Sequence, residues 1–261
     1  MLGIQTDRQR DLMKQHGNKI LVVDETHGTN QYRYQLLTCL VVDDNRRGWP
    51  VSHLITSKSD ADTLKYFFQA MREATPDFNI SCVITDDDPA LVNSMTEGFD
   101  SDFRHILCKW HILKNWKENL RHKVPKEFVP TMLEELKEIM NAVELDKFDH
   151  LCKGFFKKYE DNCRTSSFMK YFHQHYMPRC TKWAMCHRNF PHASVNTTGH
   201  IESFHSRLKR FYLKRKVNKR LDDLIDILLK LECDDHSTRA REASKGFSLL
   251  QKYYLFIRGL T

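Results

Sequence analysis

Apolar residues fall in short closed runs through the first half of the chain and at helical intervals through the second. Ile20 to Val23 is a β-branched and apolar run that ends at Asp24. A longer run, Tyr34 to Val42, stops at Asp43-Asp44-Asn45-Arg46-Arg47-Gly48, which is turn chemistry. Pro50 to Thr56 resumes with Val51, His53 and Ile55 on one face. Three strands joined by such turns predict an antiparallel meander. Ser59 or Asp60 can then cap a helix whose apolar positions Leu64, Phe67, Phe68 and Met71 recur at helical spacing. Ile80 to Ile84 predicts a fourth strand, Leu91 to Met95 a second helix, and Phe103 to Leu107 a short fifth strand. That strand runs into a helix carrying Trp110, Leu113, Trp116 and Leu120.

From about Pro125 the strand pattern stops. Met132, Leu133, Leu136, Ile139, Met140 and Val143 make one helical stripe. Phe148, Leu151, Phe155, Phe156 and Tyr159 make a second, and Phe168, Tyr171, Phe172 and Tyr176 a third. Aromatic stripes at this spacing are expected to pack a core. A long helix over Ile201 to Lys214 and one bearing Leu221, Leu224, Ile225, Leu228 and Leu229 close the chain. The expected class is α/β: a mixed sheet with helices, interrupted by an all-helical insertion. The segments are an N-terminal extension (1–17), a first part of the core (18–124), the insertion (125–195) and C-terminal helices that complete the core (196–261).

Composition narrows the class without naming a function. The 261 residues carry 41 Lys+Arg against 34 Asp+Glu, a net charge of +7, with 41% hydrophobic and 29% charged positions. That balance predicts a globular rather than a disordered chain. No apolar run approaches the about 18–20 residues that span a bilayer, so no membrane partner is expected. The opening Met-Leu-Gly-Ile-Gln-Thr-Asp-Arg lacks a cationic segment followed by an apolar one, so no secretory signal is expected. None of the eight cysteines forms a CxxC pair. They are expected to be reduced thiols, and a finger-type zinc site is not expected.

The candidate chemistry lies in acids placed at strand ends. Asp24 closes the first apolar run, at the lip of the sheet where open α/β sheets bind ligands. Asp86-Asp87-Asp88 follows the fourth strand. Asp88 precedes Pro89 and suits a helix cap, Asp86 matches Asp24 in position, and Asp87 is ambiguous. Two strand-end carboxylates suggest a divalent cation site, because hard cations take oxygen ligands. Cleaving a phosphodiester with two such ions calls for a third acid, for which Glu202 is the candidate. His200 and His205 flank it five apart, the wrong spacing for a HExxH zinc site. Downstream, Arg207, Lys209, Arg210, Lys214, Arg215, Lys216, Lys219 and Arg220 form a run of bases with Phe211 and Tyr212 among them and no acid. A basic run beside a phosphodiester-cutting site predicts DNA as the partner. Cys108-Lys109-Trp110-His111 is a CxxH step without a second ligand pair nearby in sequence; Cys180 and Cys186-His187 could supply one only through the fold, and otherwise the step is expected to pack and hydrogen-bond near the site.

Together these segments resemble the transposase domain of Mutator-like elements, in the form found in animal transposon-derived proteins. The resemblance is carried by Val23-Asp24-Glu25-Thr26-His27-Gly28-Thr29-Asn30, Val41-Val42-Asp43 with Pro50-Val51, Thr85-Asp86-Asp87, Leu107-Cys108-Lys109-Trp110-His111, Asn196-Thr197 with Glu202-Ser203-Phe204-His205 and Leu208-Lys209, and Tyr212 to Asp222. It covers about residues 18–232. It implies a ribonuclease-H-like fold with a DDE triad of Asp24, Asp86 and Glu202 holding two Mg²⁺ or Mn²⁺ ions. Cys108 and His111 correspond to the family's CxxH motif. The implied activity is metal-dependent DNA cleavage and strand transfer in the nucleus, with self-association on DNA. The alternative is a transposon-derived module, domesticated or truncated, that binds DNA or protein without turnover. Full-length members add an N-terminal zinc-binding DNA-recognition domain. No Cys/His pairs precede Asp24 here, so end-specific recognition is not expected of this sequence.

Overall fold

The computed structural model describes residues 1–244. Strand β1 (Leu2–Ile4) and helix α1 (Asp7–His16) lead into the meander β2 (Leu21–Thr26), β3 (Gln35–Val42) and β4 (Gly48–Thr56). Helix α2 (Ala61–Ala74), β5 (Cys82–Thr85), α3 (Pro89–Phe99) and β6 (Arg104–Leu107) follow. Next come α4 (Lys109–Lys123), α5 (Val129–Asn141), α6 (Leu145–Tyr159), α7 (Ser166–His175) and the single turn α8 (Cys180–Trp183). Helices α9 (Gly199–Arg207) and α10 (Leu221–Ser244) complete the described chain. Residues 245–261 of the expected C-terminal segment lie outside the described residues. Among the described residues no helix is long and apolar enough to cross a membrane.

Six strands make one mixed sheet in the order β1-β4-β3-β2-β5-β6. The β2–β3 and β3–β4 pairs are antiparallel, as the turn-rich connections predict. The β2–β5 and β5–β6 pairs are parallel, and α2 and α3 make the crossovers that parallel neighbours require. Residues 1–17 are more than an extension. Gly3 pairs with Leu54 to make β1 the edge strand, and Thr6 caps α1 in a reciprocal capping box with Gln9.

The sheet is apolar on both faces, so both must be covered. Leu21, Val23, Leu37, Cys39 and Val41 face α2 and α3, meeting Leu64, Phe67, Phe68, Met95 and Phe99. Val22, Leu36, Leu40, Ile55 and Ile84 face the other way, onto Ile201, Phe204 and Leu208 from α9 and its extension and Leu224 and Leu228 from α10. The insertion shares a third core with α4 and the end of β6, in which Trp116, Phe148, Phe155, Phe172, Tyr176 and Trp183 are buried together. The aromatic stripes are thus packing residues. Val143 is an exception: it lies in a loop, 66% exposed.

The helix expected over Ile201 to Lys214 is shorter than its pattern. It changes to a π turn at Leu208–Tyr212, closed by Leu213 N–H donating to Leu208 O at 2.9 Å. The chain then reverses through Lys214 and Arg215, both with left-handed φ, 50° and 60°.

The α2–α3 contact is close. It needs a residue without a side chain, because a Cβ on Gly98 would sit 2.6 Å from Phe68 Cβ and 2.8 Å from Lys65 O. Gly154, on α6, has nothing within 4 Å of the same position. Gly98→Ala is therefore expected to destabilise by about 1–3 kcal/mol through overpacking. Gly154→Ala is expected to stabilise by up to about 1 kcal/mol through helix propensity. Urea midpoints of the two variants check this; shifts of the same sign would contradict it.

Candidate functional site

The parallel register of β2 and β5 brings the first two acids together. Val22 pairs with Ile84, and Asp24 and Asp86 each lie two residues further along. Asp24 is still within β2, and Asp86 is the first residue past β5. The three consecutive aspartates separate by partner. Asp88 caps α3, accepting from Ala90 N–H at 2.9 Å and Leu91 N–H at 3.3 Å, with Pro89 at the first helical position. Asp87 accepts both arms of the Arg179 guanidinium, at 2.5 Å each, and so ties the sheet to the helical insertion. Asp86 has neither task.

Glu202 arrives from the other end of the chain, in the first turn of α9. Its approach is fixed by a junction between the loop before α9 and the start of α4. Lys109 N–H donates to Asn196 O at 3.0 Å. The buried Arg188 donates to Asn196 Oδ1 at 2.7 Å and to Leu107 O at 2.8 Å. Thr198 N–H donates to Cys108 Sγ at 3.3 Å. The Thr198 hydroxyl stands 3.3 Å from Cys108 Sγ and 2.9 Å from Glu202 Oε1, and its one proton can serve only one of them at a time. Ligand atoms of Cys108, His111 and Glu202 all lie within 4.8 Å of one another.

Asp24 and Glu202 line one open cleft of about 350 Å³, together with Glu25, Thr26, His205, Ser206, Lys209 and Arg210. Asp24 is 15% exposed. Burial, and then the nearby Asp86 charge, push its carboxyl up to about 7, with Glu202 adding in the same direction. Burial also raises Asp86 and Glu25 above the usual carboxylate range. Two partly desolvated acids side by side disfavour double ionisation. Positive charge stands near. His111 is raised by its hydrogen bond to Cys108, with Asp86 and Asp24 adding. Lys209 is lowered by burial and pulled back by Asp24.

Behind Asp24 lies a polar row that the sequence did not single out as chemistry. Asp24 pairs across the sheet with Thr38, and Thr38 with His53. Thr38 Oγ1 is 3.1 Å from His53 Nδ1 and 3.1 Å from His205 Nε2, and His205 Nδ1 is 3.8 Å from Asp24 Oδ2. At that last distance a charged His205 would be an ion pair. Burial holds its ring down to about 3 and that of His53 to about 4, so both are neutral and the row is a hydrogen-bond chain. The signal was readable in part: Thr38 is the one polar residue in the run Leu36 to Val42, and His53 follows Ser52 in a strand otherwise mostly apolar.

The basic run divides in the same way. Arg207 is held in a fork by Asp235, at 2.6 and 2.5 Å, and Arg220 by Asp222, at 3.0 and 2.9 Å. Lys209 and Arg210 face the acid cleft. Arg215 and Lys216 line an adjoining cavity of about 280 Å³ with His27, Gly28 and Lys209. Lys214 is exposed and Lys219 half-buried.

Residues 20–115 match the family model for the MULE transposase domain. The resemblance read from the sequence is borne out there, in the stretch that contains Asp24, Asp86, Cys108 and His111. The match supports a transposase-related function. No curated protein matches the chain. Among solved structures, the chain is similar to one in the cryo-EM structure of the simian T-cell lymphotropic virus intasome in complex with PP2A regulatory subunit B56 gamma. The identity is 13% and the TM-score 0.27, over 59% of this chain and 54% of that one, so this chain spans about half the length of that relative. A likeness that slight carries no argument.

Burial of Asp24 has a consequence for stability. A carboxyl that goes from 3.8 unfolded to about 7 folded binds its proton more tightly when native. Its stabilising contribution is complete below pH 3.8 and is lost as pH rises to about 7, at a cost of roughly 4 kcal/mol. Asp24→Asn is therefore expected to be more stable than the wild type at pH 7.5 and about equal at pH 4. Urea unfolding at the two pH values checks this. A variant less stable at pH 7.5 than at pH 4, relative to wild type, would contradict it.

Proposed function

We propose, on the premise of the MULE transposase match over residues 20–115, that the chain is a ribonuclease-H-like DDE domain that cuts and rejoins DNA. The observation that carries this reading is the pairing of Asp24 and Asp86 at the end of parallel strands, both held above the ordinary carboxylate range. The strand order β4-β3-β2-β5-β6, three antiparallel strands followed by two parallel ones, supports the ribonuclease-H-like part.

The residues fit hard divalent cations, Mg²⁺ or Mn²⁺. Carboxylate oxygens are the donors such ions prefer, and a bound positive charge would offset the burial, and the neighbouring negative charge, that raise Asp24 and Asp86. Asp24, Asp86 and Glu202 would hold them. Bound there, two ions supply an activated water or 3′-hydroxyl and stabilise the leaving oxygen. The chain's own residues do the rest. Lys209 and Arg210, on the same cleft, bind the phosphates that flank the scissile one. The His205–Thr38–His53 row sets a neutral ring, rather than a competing cation, against Asp24, so the positive partner of that carboxylate would be the ions. Arg215 and Lys216 on the neighbouring cavity, with exposed Lys214, continue the phosphate path away from the cleft.

Nicking of supercoiled DNA should require Mg²⁺ or Mn²⁺. Asp24→Ala, Asp86→Ala and Glu202→Gln should each lower it by more than about 100-fold, the upper scale on which changes around metal sites act. Asp88→Ser, which keeps a capping oxygen, should nick normally. Nicking that survives the three acid variants, or its absence from folded wild type with either ion, would sink the catalytic reading. The latter result would leave a binding module. DNA affinity tests the path separately. Replacing Lys214, Arg215 and Lys216 by Ala should flatten the slope of log K against log salt by up to about 2–3, at about 0.9 per phosphate contact. Arg207→Ala should leave the slope alone, since Asp235 already holds that guanidinium. A triple variant with an unchanged slope would remove the path.

A further inference from the structure

The CxxH step is the motif that the proposed cleavage chemistry leaves unused. It joins β6 to α4, with Cys108 at the cap position of α4 and His111 in its first turn. Cys108 offers no oxygen to its own helix as an N-cap would. Its fully buried sulfur instead faces the start of α9, where Thr198 N–H and the Thr198 hydroxyl point at it from 3.3 Å each. A cysteine sulfur that takes the Thr198 N–H, with the hydroxyl in reach when its proton is not given to Glu202, is placed as an acceptor. His111 Nδ1 is buried without a hydrogen-bond partner, and the ring's hydrogen bond is to Cys108 itself. Glu202 brings a carboxylate to the same point, and the three ligand atoms lie within 4.8 Å of one another.

A sulfur, an imidazole nitrogen and a carboxylate oxygen are not a set for Mg²⁺. Soft thiolate and borderline imidazole select Zn²⁺ and its neighbours in the first transition row. Ligand atoms on a tetrahedral Zn²⁺ stand about 3.5 Å apart, given bonds of about 2.0–2.3 Å, so side-chain adjustments would close this cluster on an ion. Three protein ligands would leave a fourth position for water, and one of the three, Glu202, lines the cleft. We propose that Cys108, His111 and Glu202 form a site for a Zn²⁺-class ion, distinct in donor chemistry from the carboxylate pair Asp24 and Asp86. Resting on the reading of Glu202 as the third acid, the two sites share one carboxylate. A soft ion in the first would then compete for the ligand that the hard ions need, and Zn²⁺ would inhibit the Mg²⁺ reaction.

Cobalt(II) titration of the full chain tests the site without DNA or catalysis. Tetrahedral Co²⁺ with a thiolate ligand absorbs in the visible and shows a sulfur-to-metal charge-transfer band in the near ultraviolet. Both should appear at one equivalent and be displaced by Zn²⁺. Cys108→Ser should lose the charge-transfer band. His111→Gln should keep the band while binding at least about tenfold more weakly, because even changes outside the ligand set cost metal sites 10–100-fold. Absence of the band in wild type would overturn the proposal. So would a band that persists in Cys108→Ser, which would assign it to other thiols such as Cys180 or Cys186 of the insertion. If Cys108→Ser does not fold, His111→Gln decides: unchanged affinity overturns the site and weakened affinity supports it. Because these readouts need no cleavage, failure of the nuclease reading leaves them intact, and their failure leaves that reading intact.

Discussion

Burying two carboxylates side by side is unfavourable twice, once for lost hydration and once for repulsion. The sheet imposes both on Asp24 and Asp86. Their strands run parallel and in register, each with an apolar stretch that must stay in the core, so neither acid can withdraw without pulling valines and isoleucines into water. Asp24 carries most of the strain, standing at about 7 where an unhindered carboxyl stands near 3.8. Such an arrangement persists only because the surrounding packing over-determines it, and it is the form that stored electrostatic strain takes at functional sites.

Much of the remaining architecture fixes what surrounds that pair and where Glu202 stands. The α2–α3 contact closes over Gly98, and at the exit from β5 Asp88 is spent on capping and Asp87 on Arg179. The helical insertion packs with α4 and the end of β6, and it is also tied to the sheet at specific points. Arg179 meets Asp87, and Arg188 spans Leu107 and Asn196. The second of these, with Thr198 on Cys108, locks the first turn of α9 to the first turn of α4. Glu202 therefore has its place through contacts to residues far from it in sequence.

The strands, their order of appearance and the strand-end acids were legible because each depends on local pattern: short apolar runs, turn residues, Asp followed by Pro. The cap at Asp88 and the core role of the insertion's aromatics follow from the same local rules. What escaped was non-local or too short. β1 has three residues, below the length at which alternation is visible, although Thr6 and Gln9 carried a readable capping box. The π turn at Leu208–Tyr212 keeps an apolar pattern close enough to helical that periodicity did not mark it. The row His205, Thr38 and His53 exists only once three strands and α9 are assembled. The pairing of Arg207 and Arg220 with Asp235 and Asp222 separates structural bases from free ones within a run that reads as uniform.

The central claim is that Asp24, Asp86 and Glu202 converge on shared divalent cations. Anomalous diffraction from crystals soaked in Mn²⁺ tests it most directly. The account predicts anomalous peaks in contact with Asp24 and Asp86, with Glu202 completing the oxygen ligands. Peaks confined to exposed acids such as Asp222 or Asp223, with none between Asp24 and Asp86, would contradict it.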